Sequence, residues 1–163
     1  RNIYPLFVSK TVNEGLREAK PQERSMILTR CAFPGMQRYA TATWSGDVGN
    51  DWETLRRQIV GGLGMMASGQ PWWTYDAGGF FRPWQNQYQD KEYIQRLIRW
   101  VQCATFLPLM RIHGYMSDTE PWRYGEEAEK IIKSQLELRC HHRHKYNHPF
   151  LYLYTNHRHA FPS

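Results

Sequence analysis

Apolar positions recur with a helical period in four parts of the chain and with a strand period between them. Over residues 3 to 19, Tyr4, Val8, Val12 and Leu16 fall at i, i+4, i+8 and i+12, and Lys20-Pro21 ends the run, which predicts a first helix. Ser25 to Thr29 (SMILT) is too short for a helix and fits a buried strand. After a loop at Pro34-Gly35, Arg38 to Trp44 (RYATATW) alternates and is rich in Thr and aromatics, a second strand. Asp51 caps a helix with Leu55, Ile59 and Leu63 on its inner face, stopped by the glycines that follow. Pro71 to Tyr75 (PWWTY), bounded by Gly69 and Gly78-Gly79, predicts a third strand. Asp90 opens a helix with the stripe Tyr93, Leu97, Trp100, Val101 and Ala104, closed by Pro108. Leu109 to Ile112 is a fourth short strand, and Gly125 precedes a last helix with Ala128, Ile131, Ile132, Gln135 and Leu138 along one face. Trp52, Trp100 and Trp122 are assigned to packing.

An ionisable residue follows every predicted strand: Arg30, Asp47, Asp76 and His113. Parallel strands joined by helices put their C-terminal ends on one side, so these four side chains are expected to converge. The fold class expected is α/β, specifically part of a (β/α)8 barrel, in which one unit averages roughly 31 residues and the chemistry sits at that face. The spacings Asp47 to Asp76 (29) and Asp76 to His113 (37) agree; Arg30 to Asp47 (17) leaves no room for a connecting helix. Four strands do not close a barrel, and a half-barrel has two open edges. The chain also opens on Arg1 rather than Met. Both features lead us to expect a piece of a longer protein, with the missing strands supplied elsewhere.

Composition narrows the partners. At 163 residues the chain suits one domain, and its longest apolar stretch, Val101 to Met110, is interrupted by Gln102 and Pro108 and is far shorter than a membrane span. Seven Trp, ten Tyr and seven Phe exceed what core filling requires and favour a ligand with apolar faces and polar edges, such as a sugar or a base. The net charge is +6, but residues 140–163 carry three of those charges, six of the seven His and no acid. The remainder is only weakly basic, a poor match to the dense Lys/Arg face of a nucleic-acid binder. Cys31, Cys103 and Cys140 are an odd number without close spacing, so no disulfide framework is expected.

The motifs now carry a resemblance. LTRCAFPGMQRYATATWSGD (28–47), WWTYDAGGFF (72–81), RW followed by FLPLMRIHG (99–114) and EPWRYG (120–125) resemble glycoside hydrolase family 31, and the likeness runs from the first helix to about Leu138. Within the family the wording is most similar to α-xylosidases and α-glucosidases. The resemblance implies a retaining α-glycosidase on a (β/α)8 barrel, with residues 1–139 as its C-terminal half, about strands five to eight. It implies that Asp47 of the WSGD motif is the general acid/base, and that the nucleophilic Asp lies on a strand upstream of Arg1. Retaining hydrolysis needs two carboxyl groups about 5 to 5.5 Å apart, and Asp47 can supply only the proton-transferring one. By resemblance Arg30, Asp76 and His113 hold the sugar hydroxyls, and Trp44 and Phe80 wall the ring. No metal or organic cofactor is expected, and the partner is an oligosaccharide or glycoside. The substrate is a terminal α-xylosyl or α-glucosyl residue, and the chain by itself is expected to be inactive. The competing reading is a non-catalytic carbohydrate-binding or structural piece.

The segment 140–163 (CHHRHKYNHPFLYLYTNHRHAFPS) departs from the pattern of that family and reads as a frame-shifted or mis-spliced end, or else as a His-rich metal-binding tract. The spacing of His141, His142, His144 and His148 matches no common zinc pattern.

Overall fold

The computed structural model describes the backbone of residues 1–146 and the side chains of residues 1–142. In chain order it contains α1 (Tyr4–Ala19), β1 (Ile27–Thr29), β2 (Thr41–Trp44), α2 (Trp52–Ala67), β3 (Trp73–Thr74), β4 (Asp76–Ala77), α3 (Lys91–Ala104), β5 (Arg111–Ile112) and α4 (Glu126–Tyr146), with 3-10 turns at Met36–Tyr39 and Pro121–Tyr124. Every strand pairing is parallel: Ile27 stands against Thr41, Thr43 against Trp73, and Asp76 against Arg111. The chain passes from β3 through Tyr75 into β4 and changes partner as it goes, from β2 to β5. The C-terminal ends of all these strands therefore point one way, with α2 and α3 as crossovers.

All four predicted strands are shorter than expected, the first and fourth being Ile27–Thr29 and Arg111–Ile112, and the other two are redrawn. Only Thr41–Trp44 of the Arg38–Trp44 run is extended, because Met36–Tyr39 winds into a 3-10 turn and Ala40 takes φ 55°, the left-handed region. The third strand splits at Tyr75, so Asp76 begins β4 rather than following a strand.

The core forms on α3, where Tyr93, Leu97, Trp100, Val101 and Ala104 are all fully buried, the predicted stripe. Asp90 caps this helix by accepting from the amides of Glu92 and Tyr93 at 3.0 and 3.1 Å. Tyr75 meets Trp100 edge-on at 5.0 Å and donates its hydroxyl to the Trp100 carbonyl at 3.1 Å, which ties the strand to the helix in both an apolar and a polar way. The opposite end of α3 is closed by Arg139 of α4, which donates to the carbonyls of Thr105, Leu107 and Pro108 at 2.8, 2.7 and 3.1 Å. The cation there satisfies carbonyls of the turn that follows the helix and is favourably placed at the negative end of its dipole. Burial lowers the pKa of Arg139.

The other helices correct the expected faces. In α1 the buried residues are Ser9 and Asn13, whereas Tyr4, Val8, Val12 and Leu16 are exposed. The helix is the predicted one, but its polar stripe faces the 25–39 segment, where Asn13 donates to Ser25 Oγ at 2.8 Å. In α2 only Leu55 of the expected stripe is buried; Ile59 and Leu63 lie outside, and the helix continues through Gly61, Gly62 and Gly64 to Ala67. Gly62 lies directly on the sheet, where a β-carbon would stand 2.5 Å from the Trp73 ring. In α4 Ala128 and Ile132 are buried and Leu138 is exposed. Trp100 packs in the core as assigned, but Trp52 and Trp122 are exposed. Cys140–Tyr146 form the end of α4, and the rest of the 140–163 segment lies outside the described residues. Among the described residues no helix is long and apolar enough to cross a membrane, and no three His, Cys, Asp or Glu side chains gather to hold a metal ion.

Two substitutions on α2 separate packing from propensity. Gly62→Ala forces Trp73 aside and is expected to cost about 1–3 kcal/mol. Gly64→Ala meets nothing within 4 Å and is expected to stabilise by about 0.5–1 kcal/mol. Urea denaturation of both variants checks the pair.

Candidate active site

Four of the buried polar atoms that lack a hydrogen-bond partner lie where β2 ends and where β4 begins: Thr43 Oγ1, Trp44 Nε1, Ser45 Oγ and Asp76 Oδ2. Proteins rarely leave such atoms unsatisfied, and where they do the place calls for an explanation.

Asp76 is fully buried, and Arg111, across the β4–β5 pairing, binds its Oδ1 through Nε at 2.7 Å and Nη2 at 2.6 Å. Both bonds fall on one oxygen, so Oδ2 stays open. Burial raises the pKa of Asp76; Arg111 and then His113 oppose that, while the charge of Asp47 adds to it. Asp47 and His113 are thus close enough to act on the same carboxyl. Arg30, at the end of β1, pairs with Asp47 at 3.3 Å, both side chains being partly open to solvent. Gly46 makes the pair possible: its φ of 83° turns the chain, and a β-carbon there would press on the Arg30 guanidinium at 3.1 Å. The guanidinium carbons of Arg30 and Arg111 lie 5.8 and 5.2 Å from the centre of the Trp44 ring. Phe80 and His113 are in ring contact at 5.5 Å. The structure therefore gathers all six predicted residues, Arg30, Trp44, Asp47, Asp76, Phe80 and His113, on one face.

Backbone bonds hold the loops that carry them. The amides of Phe80 and Phe81 both donate to the Val48 carbonyl at 3.0 Å, and the Phe80 carbonyl accepts from the Tyr115 amide at 2.8 Å. Asn50 Nδ2 donates to the Phe81 carbonyl at 2.8 Å, and Trp100 Nε1 to that of Asn50 at 3.2 Å. Gly79 crosses so close to Gly49 and Asn50 that a β-carbon would stand 2.6 Å from the Gly49 carbonyl oxygen. The segments after β2, β4 and β5 form one laced rim.

Two arginines of the site, one beneath this rim and one in it, escape motif reasoning. Arg111 reaches Asp76 across 35 positions, and its one sequence signal is a charge inside a short apolar strand. Arg82 donates to the carbonyls of Gly79, Ala77 and His113 at 3.2, 3.1 and 3.2 Å and to the Tyr124 hydroxyl at 2.8 Å. It braces the ends of β4 and β5 while lying in a loop without periodicity.

Residues 1–142 match the family described as the glycosyl hydrolases family 31 TIM-barrel domain. The chain belongs to that family. It is similar to the α-xylosidase of Saccharolobus solfataricus, 45% identical over 138 residues, 85% of this chain and 18% of that protein. Among solved structures it resembles a family 31 α-xylosidase from a soil metagenome complexed with xylose, at TM-score 0.79 and 36% identity over 88% of this chain and 24% of that one. It also resembles the family 31 dextranase of Flavobacterium johnsoniae complexed with glucose, at TM-score 0.77 and 34% identity over 85% of this chain and 17% of that one. The chain thus spans less than a quarter of the length of these family 31 proteins.

The raised pKa of Asp76 fixes the sign of a pH effect. A carboxyl whose folded pKa is above its unfolded value, 3.8, contributes stability that is fully present below 3.8 and lost as pH rises through the folded value. Asp76→Asn is expected to flatten that part of the profile, so wild type loses stability relative to D76N as the solution moves from acid toward neutral. Denaturation midpoints from about pH 3 to 7 check it. Arg111→Met leaves a buried carboxylate unpaired and is expected to cost about 3 kcal/mol or more at neutral pH.

Proposed function

We propose that this chain is the C-terminal half of a retaining α-glycosidase barrel, about strands five to eight, and that the complete barrel hydrolyses terminal α-xylosyl or α-glucosyl residues. The observation that supports this most is the gathering of Arg30, Asp47 and His113, each just past a parallel strand, about Asp76 and the unsatisfied atoms of Thr43, Trp44 and Ser45. In a (β/α)8 barrel that face carries the chemistry.

In this reading Asp47 is the acid/base. It protonates the departing glycosidic oxygen, and then takes the proton from the water that releases the sugar. Arg30 positions the Asp47 carboxyl and offers its remaining N–H groups to sugar hydroxyls. His113 binds a hydroxyl, Phe80 and Trp44 wall the ring, and Asp76 Oδ2, which Arg111 leaves unbonded, accepts a hydroxyl. The nucleophile in this reading is a second carboxylate, as retaining hydrolysis requires. The resemblance to family 31 assigns it to the complementary half of the barrel. The α-xylosidases and the glucose-complexed dextranase among the relatives support sugar as substrate.

In an intact barrel carrying this chain, Asp47→Asn is expected to lower kcat about 10²–10⁴-fold on an unactivated α-glycoside. The 163-residue chain alone is expected to release no p-nitrophenol from aryl α-xylosides or α-glucosides. Turnover by the isolated chain, or full activity of D47N, overturns the proposal.

A further inference from the structure

Arg111 meets Asp76 in an uncommon way. A guanidinium and a carboxylate often pair fork to fork, with one N–H on each oxygen. Here Nε and Nη2 both bind Oδ1, at 2.7 and 2.6 Å, and Oδ2 is buried with no donor among the described residues. A pair kept for stability alone gains nothing from this geometry, because a buried acceptor without a donor bears the full cost of its lost water.

The neighbouring donors are committed elsewhere. Arg30 pairs with Asp47 at 3.3 Å, Arg82 donates to the Ala77 carbonyl at 3.1 Å, and Tyr93 of α3 donates to the Gly78 carbonyl at 3.0 Å. Arg111 is itself fixed. Its backbone stands opposite Asp76 in the β4–β5 register, its side chain is only 26% exposed, and its guanidinium carbon lies 5.2 Å from the centre of the Trp44 ring. The two bonds on Oδ1 thus arise from a held guanidinium and determine which oxygen of Asp76 is left over.

Resting on the glycosidase reading, we propose that Arg111 is a positioning residue of the reaction: it acts through Asp76, clamping Oδ1 so that Oδ2 stays ionised and turned to a hydroxyl of the bound sugar. The clamp sets orientation and charge together. Without it the carboxyl is free to rotate about its last bond, and burial favours the protonated form, which has less capacity to accept. The charged groups that bear on Asp76 are Arg111 and His113, which favour ionisation, and Asp47, which disfavours it; Arg111 is the main group opposing burial. Arg111 therefore governs how the sugar is held, whereas proton transfer belongs to Asp47.

The test measures kcat/KM in an intact barrel carrying this chain, for Arg111→Lys, Arg111→Met, Asp76→Asn and the double variant D76N/R111M. R111K keeps the charge and loses the paired N–H groups. It is expected to lower kcat/KM about 10–100-fold, by the same factor on p-nitrophenyl and methyl α-glycosides, because a defect in holding the sugar does not depend on the leaving group. R111M is expected to move the acid limb of the kcat/KM profile to higher pH, and R111K to leave it near that of wild type. D76N/R111M is expected to be no less active than D76N, since removing Asp76 removes what Arg111 acts through. If R111M does not fold, R111K and D76N/R111K close the same cycle. Losses that add in the double variant, an acid limb that stays in place in a folded R111M, or a loss confined to the methyl glycoside overturn the proposal. If the wild-type barrel cleaves no α-glycoside, the glycosidase reading falls, and Arg111 is decided by calorimetric titration of xylose and glucose into the wild-type and R111K barrels. Weaker binding by R111K upholds the clamp; equal binding, or none by either, overturns it.

Discussion

A carboxylate with no exposed surface, Asp76, is held by one guanidinium on one of its two oxygens, and the surrounding structure is arranged about that pair. Ionised groups taken out of water need a partner in good geometry, and removing either leaves the other stranded. Arg111 stands opposite Asp76 in the β4–β5 register, so the charge pair and the strand pairing enforce each other. Trp44 brings in β2 through its ring beside Arg111. Three strands are thereby joined by one polar contact beneath the surface, and Asp47 and His113 stand near enough to feel its charge.

Above this layer the rim is built differently. Its segments are linked by main-chain bonds among Val48, Phe80, Phe81 and Tyr115, and by the four bonds of Arg82. Glycines at 46 and 79 allow the approaches that such lacing needs, the first against a guanidinium and the second against backbone. Rigid support of this kind keeps polar groups in position at a mouth that is partly open to water, as the exposure of Arg30 and Asp47 requires.

How far the sequence predicted this depended on whether the deciding partner was near in the chain. The stripe of α3 and its Asp90 cap follow from local spacing, and both appear as expected. The gathering of Arg30, Asp47, Asp76 and His113 was also legible, since it needs only parallel strands of alternating connectivity. The α1 helix was legible as a helix but not in its orientation: the period locates an apolar face, whereas burial depends on what lies beside it, and here Ser9 and Asn13 face inward. In β2, alternation could not reveal that Ala40 would turn left-handed and shorten the strand. Arg111 and Arg82 were missed because their partners are remote in sequence or are carbonyl groups, which every residue possesses.

The α1 surface follows from the same facts. Its row of Tyr4, Val8, Val12 and Leu16 faces away from the described core, while β1, the first strand of its sheet, has among the described residues a neighbour on only one side. An uncovered greasy ridge beside a free sheet margin makes this polypeptide adhesive in water. Preparations of it by itself should therefore cluster as concentration rises, and a mild detergent should disperse them.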